Sequence, residues 1–178
     1  MDFIGQIYPS SSKGHRFVLV AIDYFTKLSE AVPLRNMTHV EVIRFIKEHI
    51  IHRFGIPQTL TTDQGSSFMS HQVREFVESY NIKMLNSSPY YAQANGQAES
   101  SNKILIKLIK KKIEDNPRRW HELLSAALWA HRISRHGATK VTPYELVYGQ
   151  EVVLLVEVNL NALRIAKKMI YRRWTFII

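Results

Sequence analysis

The sequence predicts an α/β fold, a five-stranded mixed sheet flanked by helices, and three observations carry that prediction. Residues 17–25 (FVLVAIDYF) form a run of β-branched and aromatic side chains, the signature of a buried strand. Thr38-His39-Val40-Glu41 is a capping box that opens a segment of helical period. Strand-like and helix-like segments then alternate, an order that builds parallel pairs through helical crossovers.

Taken in order, Phe3-Ile4 reads as a first strand entering a hairpin through Lys13-Gly14, residues 17–25 as the second strand and 29–34 as the third. The first helix places Val40, Ile43, Ile46, Ile50 and Phe54 on one face and closes at Gly55 and Pro57. Residues 58–62 make a fourth strand that ends at the turn Asp63-Gln64-Gly65. Val73, Phe76, Val77 and Tyr80 mark a second amphipathic helix, and residues 83–85 the fifth strand. Residues 87–96 (SSPYYAQANG) have no period and read as a loop, followed by a long helix over 97–114. Pro117 opens another helix whose face carries Trp120, Leu124, Ala127, Leu128 and His131, and Thr142-Pro143 starts a short last one. The helix bearing Trp120 and Trp129 is expected to serve as core or dimer surface. No internal repeat or linker divides the chain.

The 178 residues are 46% hydrophobic and 22% charged, the balance of one globular domain. A chain of this length buries about 70% of its unfolded surface, so its core needs no disulfide or structural metal. It has no cysteine, which excludes a disulfide scaffold, a thiol nucleophile and a Cys-ligated zinc site. No apolar run reaches the roughly 18–20 residues of a membrane span, and no secretory leader is visible, so an intracellular protein is expected.

Twenty-four Lys and Arg against fifteen Asp and Glu leave a net charge of +9. The excess is local. Residues 1–100 are balanced, whereas residues 101–140 hold ten basic and three acidic groups. A basic stripe suits a polyanion through counterion release, and a solvated helix face is the alternative.

Three carboxylates stand at structural edges: Asp2 in the first strand, Asp63 at the end of the fourth, and Glu99 in the first turn of the long helix. Each has a bland explanation in turn chemistry or the helix dipole. Together they form a set of hard oxygen donors whose mutual repulsion a cation relieves, and such donors select Mg²⁺ or Mn²⁺. Paired ions of that kind support phosphoryl transfer without a covalent enzyme intermediate.

Asp63 and Glu99 are separated by 35 residues, in the contexts TTDQGSSF and NGQAESSNK. Asp23-Tyr24-Phe25-Thr26-Lys27, the loop from Tyr90 to Gln97 and Thr142-Pro143-Tyr144-Glu145-Leu146 complete an ordered set of motifs over residues 2–166. This set resembles the catalytic core of retroviral and gypsy-type retrotransposon integrases. Gln6 and Leu28 depart from that pattern, where Pro and Trp are usual. The resemblance implies an RNase H-like fold and DNA integration in the nucleus, with Asp2, Asp63 and Glu99 as catalytic metal ligands. It further implies two Mg²⁺ or Mn²⁺ ions when DNA is bound, retroelement ends and target DNA as partners, and a homodimer or higher oligomer. Neither a membrane nor a small-molecule cofactor is expected.

Glu99, Lys103 and Lys107 follow one helical face that Lys110 and Lys111 continue, so catalytic acid and phosphate binders share a side. Asn102 and Lys103 are expected to position the element's DNA end, the alternative being an i,i+4 ion pair between Glu99 and Lys103. Tyr91 by stacking, and Gln93, Asn95 and Gln97 by amide contacts, would suit a frayed end, unless the tyrosine only pins the loop. His49 and His52, at i and i+3, read as solvated or capping. The expected domain is residues 1–162, with its first strand truncated at the N-terminus, followed by a basic, apolar tail over 163–178 that is aberrant or disordered. The competing function is a non-catalytic DNA-binding or dimerising remnant of such an integrase.

Overall fold

A computed structural model describes residues 1–86, 117–135 and 140–152. Five strands are present in it: β1 (Asp2–Gly5), β2 (Phe17–Ile22), β3 (Ser29–Leu34), β4 (Thr59–Thr62) and β5 (Lys83–Asn86). β1, β2 and β3 form an antiparallel ladder in that order, with Asp2 opposite Val20 and Val20 opposite Ala31. β4 and β5 pair in parallel. The expected sheet is therefore two ladders, of three strands and two. They meet where the Met1 amino group donates to the Thr61 carbonyl at 2.5 Å. Their contact is short because β4 ends at Thr62 and the chain turns away at Asp63.

β2 shows why helices lie on both sides. Its residues Val18 to Ala21 are all buried, as in a strand covered on both faces. Leu19 and Ala21 face a cluster with Val42, Phe45, Ile46, Val73 and Val77, from the helices after β3 and β4. Val18 and Val20 face Trp120, Leu124 and Leu128 on the opposite side. The period of two in the strand thus sorts its side chains between two cores, each fully buried aliphatic contributing about 1.5–3 kcal/mol.

The first helical segment starts as its capping box predicts, with Thr38 Oγ1 accepting the Glu41 N–H at 3.3 Å. It runs as α1 (His39–Phe45), a wider π-helical turn (Ile46–Ile51) and α2 (His52–Phe54). The predicted apolar face is displaced here: Val40 and Phe54 are exposed, and the buried centre is Val42, Phe45 and Ile46. The face is set by the i, i+3, i+4 group that meets β2, and the widened turn rotates Phe54 off it. α3 (His71–Ser79) buries Val73 and Val77 as its period predicts. α4 (Trp120–Ile133) lies against β3, and α5 (Pro143–Tyr148) opens with Thr142 Oγ1 accepting the Glu145 N–H at 3.1 Å. Trp120 is core, while Trp129 packs edge-on against Tyr144 with 5.8 Å between centroids.

β2 ends at Ile22 and not at Phe25. Asp23 Oδ1 accepts both the N–H and the hydroxyl of Thr26 at 2.7 Å, and the Asp23 N–H reaches the Leu28 carbonyl at 2.9 Å. That turn leaves Tyr24 and Phe25 in solvent. The predicted loop at 87–96, the helix at 97–114 and the segment beyond 152 lie outside the described residues. Among the described residues no helix is long and apolar enough to cross a membrane.

Candidate active site

Asp2 and Asp63 belong to the two ladders, which meet at the bond between Met1 and Thr61. Asp2 opens β1 opposite Val20, and Asp63 follows the last residue of β4. The Met1 amino group, beside Asp2, bonds the Thr61 carbonyl two residues before Asp63. Burial holds this amine below its ordinary pKa, while the charges of Asp2 and then Asp63 oppose the shift.

The Asp63 side chain is oriented by its own turn. Its Oδ1 accepts the Gly65 N–H at 3.0 Å, an Asx turn, and the Phe68 and Met69 N–H groups both bond the Gly65 carbonyl. Glycine at 65 leaves the carboxylate its place: a Cβ there would lie 3.0 Å from Asp63 Oδ1, a tight contact that the side chain would have to give way to. Behind the turn, fully buried Phe68 packs on Phe3 of β1 at 4.8 Å between centroids. The ring pair thus clamps the loop carrying Asp63 to the strand carrying Asp2.

The donor set suits a hard divalent cation, two carboxylates with their backbone fixed by the sheet and the turn. Glu99, the expected third ligand, lies outside the described residues, as do Tyr91, Gln93, Asn95, Gln97, Asn102, Lys103, Lys107, Lys110 and Lys111. Among the described residues no group of three or more His, Asp or Glu could hold a metal.

Against this background the comparisons with known proteins are specific. The family model described as the integrase core domain matches residues 1–92. The chain belongs to the integrase core family. It is 32% identical over 149 residues to the Pro-Pol polyprotein of feline foamy virus, covering 84% of this chain and 12% of that protein. It is equally similar over 149 residues to the Transposon Tf2-3 polyprotein of Schizosaccharomyces pombe, covering 83% and 11%. The chain thus spans about an eighth of the length of these relatives.

Among solved structures, the catalytic core domain of BIV integrase superposes with a TM-score of 0.67 at 21% identity, over 83% of this chain and 92% of that one. The HTLV-2 integrase catalytic core in complex with magnesium, in a trimeric form, gives 0.63 at 23% identity over 82% and 95%. A simian T-cell lymphotropic virus intasome chain, in a complex with the PP2A regulatory subunit B56 gamma, gives 0.69 at 24% over 86% and 56%. These likenesses establish the RNase H-like fold of an integrase core.

A second charged centre was not visible in the sequence. Glu30 of β3, with its side chain 5% exposed, binds Arg132 of α4 at 2.6 Å and Arg53 of α2 at 2.7 Å. His49 Nδ1 stands 3.9 Å from it, its ring stacked on Phe45, so His49 is partly packed rather than simply solvated. Arg132 also donates to the Ser29 carbonyl at 3.1 Å through both Nε and an Nη. Desolvation raises the Glu30 pKa, and the two guanidinium groups pull it back only in part. A glutamate inside the apolar strand SEAVPL was the one available signal. The arrangement ties helix to sheet edge and has a structural role.

Proposed function

We propose that this integrase core is a DNA strand transferase, with Asp2, Asp63 and Glu99 as the ligands of Mg²⁺ or Mn²⁺. What supports the reading is that Asp2 opens β1 and Asp63 follows β4, with the Met1–Thr61 hydrogen bond tying the two strands together between them. When bound, such ions activate an attacking oxygen and stabilise charge on the leaving one at phosphorus. The chain's own part in this reading is to present Asp2 from β1 and Asp63 from the end of β4, and to brace the Asp63 loop through the Gly65 turn and the Phe3–Phe68 contact.

The integrase resemblance supplies two steps. In the first, a water oxygen attacks a phosphodiester near the end of the element's DNA, and the P–O3′ bond breaks to free a 3′-hydroxyl. In the second, that hydroxyl attacks target DNA, one phosphodiester replaces another, and the target's 3′-oxygen leaves with a proton. Asn102, Lys103, Lys107, Lys110 and Lys111 would hold phosphates of the DNA, with Tyr91, Gln93, Asn95 and Gln97 at its frayed end. The reaction belongs in the nucleus and calls for a dimer or larger assembly, so that two DNA ends are joined together.

A joining assay with Mg²⁺ and a mimic of the element's end tests this reading. The wild-type protein joins the DNA, and Glu99→Gln binds it but leaves it uncut, because the substitution keeps size and removes charge. Joining by Glu99→Gln near the wild-type rate overturns the assignment. A wild type that binds DNA without cutting it favours the non-catalytic remnant.

A further inference from the structure

Three surface cations outside the candidate active site are brought together from segments far apart in the sequence. Lys13 lies in the β1–β2 loop, Arg35 directly follows β3, and Arg118 precedes α4. Arg35 Nε donates to the Lys13 carbonyl at 2.9 Å, and the Ser12 N–H donates to the Arg118 carbonyl at 2.7 Å. The tip of the hairpin is therefore bound on both sides to the segments that carry the two arginines.

The surroundings do not cancel this positive field. His15 and His121 face each other at 5.2 Å between ring centroids, beneath the same loop. Burial holds His15 below the ordinary histidine pKa, and His121, Arg35 and Lys13 push in the same direction. Arg119 and Glu122 are paired at 2.6 Å, so that carboxylate is already compensated. All three cations are exposed, and among the described residues none of them forms an ion pair. A metal cation would be repelled from this place, and a polyanion attracted.

The proposed activity of the chain suggests which polyanion. Asp2 pairs with Val20 at one end of the antiparallel ladder, Gly5 and Leu34 both pair with Phe17 at the other, and Lys13 and Arg35 lie beyond that second end. We propose that Lys13, Arg35 and Arg118 form a second phosphate-contacting surface for duplex DNA, at the end of the three-stranded ladder opposite Asp2. The proposal rests on the reading of this chain as a protein that acts on DNA. Contacts of this type position the duplex and read no bases.

The test is duplex binding by the full chain, followed by fluorescence anisotropy as a function of salt. The variant Lys13→Gln/Arg35→Gln/Arg118→Gln binds all duplexes about tenfold more weakly near 0.15 M salt, and its log–log salt slope falls by about 3. Because Arg35 also braces the loop, Lys13→Gln/Arg118→Gln is measured in parallel. It loses about 2 units of slope with an unchanged melting temperature. Arg44→Gln/Lys47→Gln, on the opposite helical layer, keeps the wild-type slope. A wild-type slope in both patch variants overturns this inference and leaves the DNA reading intact. No duplex binding by the wild type, or tighter binding of single-stranded RNA than of duplex, overturns the inference together with the reading on which it rests.

Discussion

Glu30 and Asp63 are both carboxylates at the ends of the sheet, and the fold treats them in opposite ways. Glu30 is enclosed and carries two guanidinium partners, from α2 and α4, at 2.7 and 2.6 Å. Asp63 stands in solvent, its side chain turned back onto the Gly65 N–H. The first charge is matched by cations of the protein itself, and its work is to join layers. The second stands in solvent at the end of β4, and no side-chain cation among the described residues pairs with it, so it is left available to a cation from solution. Acidic residues at a sheet edge thus divide by what the fold supplies around them, not by residue type.

Substitution at the two centres should therefore give unlike results. Arg132→Met leaves Glu30 buried with one partner fewer, and urea unfolding should register a loss of about 3 kcal/mol. Asp63→Asn keeps the Asx turn, so its stability should stay within about 0.5 kcal/mol of wild type. An Asp63 variant that lost more stability than the Arg132 variant would erase the distinction between the centres.

A smaller effect sharpens the same contrast through pH. The folded-state pKa of Glu30 is raised, mainly by desolvation, so the native state holds its proton more tightly than the unfolded chain does. The stability linked to this group is full below the ordinary glutamate value and is lost as pH rises through the folded value. Wild type should gain on Glu30→Gln as pH falls from 7 toward 4, with ΔG of unfolding measured for both proteins at each pH. A gap between them that does not change over this range would contradict the account of Glu30.

The elements that could be read from the sequence are those whose signals are local. Thr38 and Thr142 cap their helices through side-chain bonds to residues three positions on, and the buried pair Val73 and Val77 follows a four-residue period. Asp2 and Asp63 stand at the start of β1 and just past the end of β4, the strand ends that the sequence predicts, while Glu99 lies outside the described residues. What escaped depends on distance. Glu30 and Arg132 are 102 residues apart, and no periodicity in either segment announces the pair. The exposure of Val40 follows from which turn of its helix meets β2, a tertiary choice among several apolar residues. The early end of β2 was obscured because Tyr24 and Phe25 have strand propensity, and the Asp23 turn overrides it.

Metal binding measured on the apoprotein addresses the division between the two centres most directly. Mn²⁺ titrated into the wild type, Glu30→Gln and Asp63→Asn, with free ion read by electron paramagnetic resonance, reports affinity without any need for catalysis. The account predicts that Glu30→Gln binds Mn²⁺ as the wild type does, and that Asp63→Asn binds at least about tenfold more weakly, a difference of about 1.4 kcal/mol. Wild-type affinity in Asp63→Asn, or a loss confined to Glu30→Gln, would contradict it.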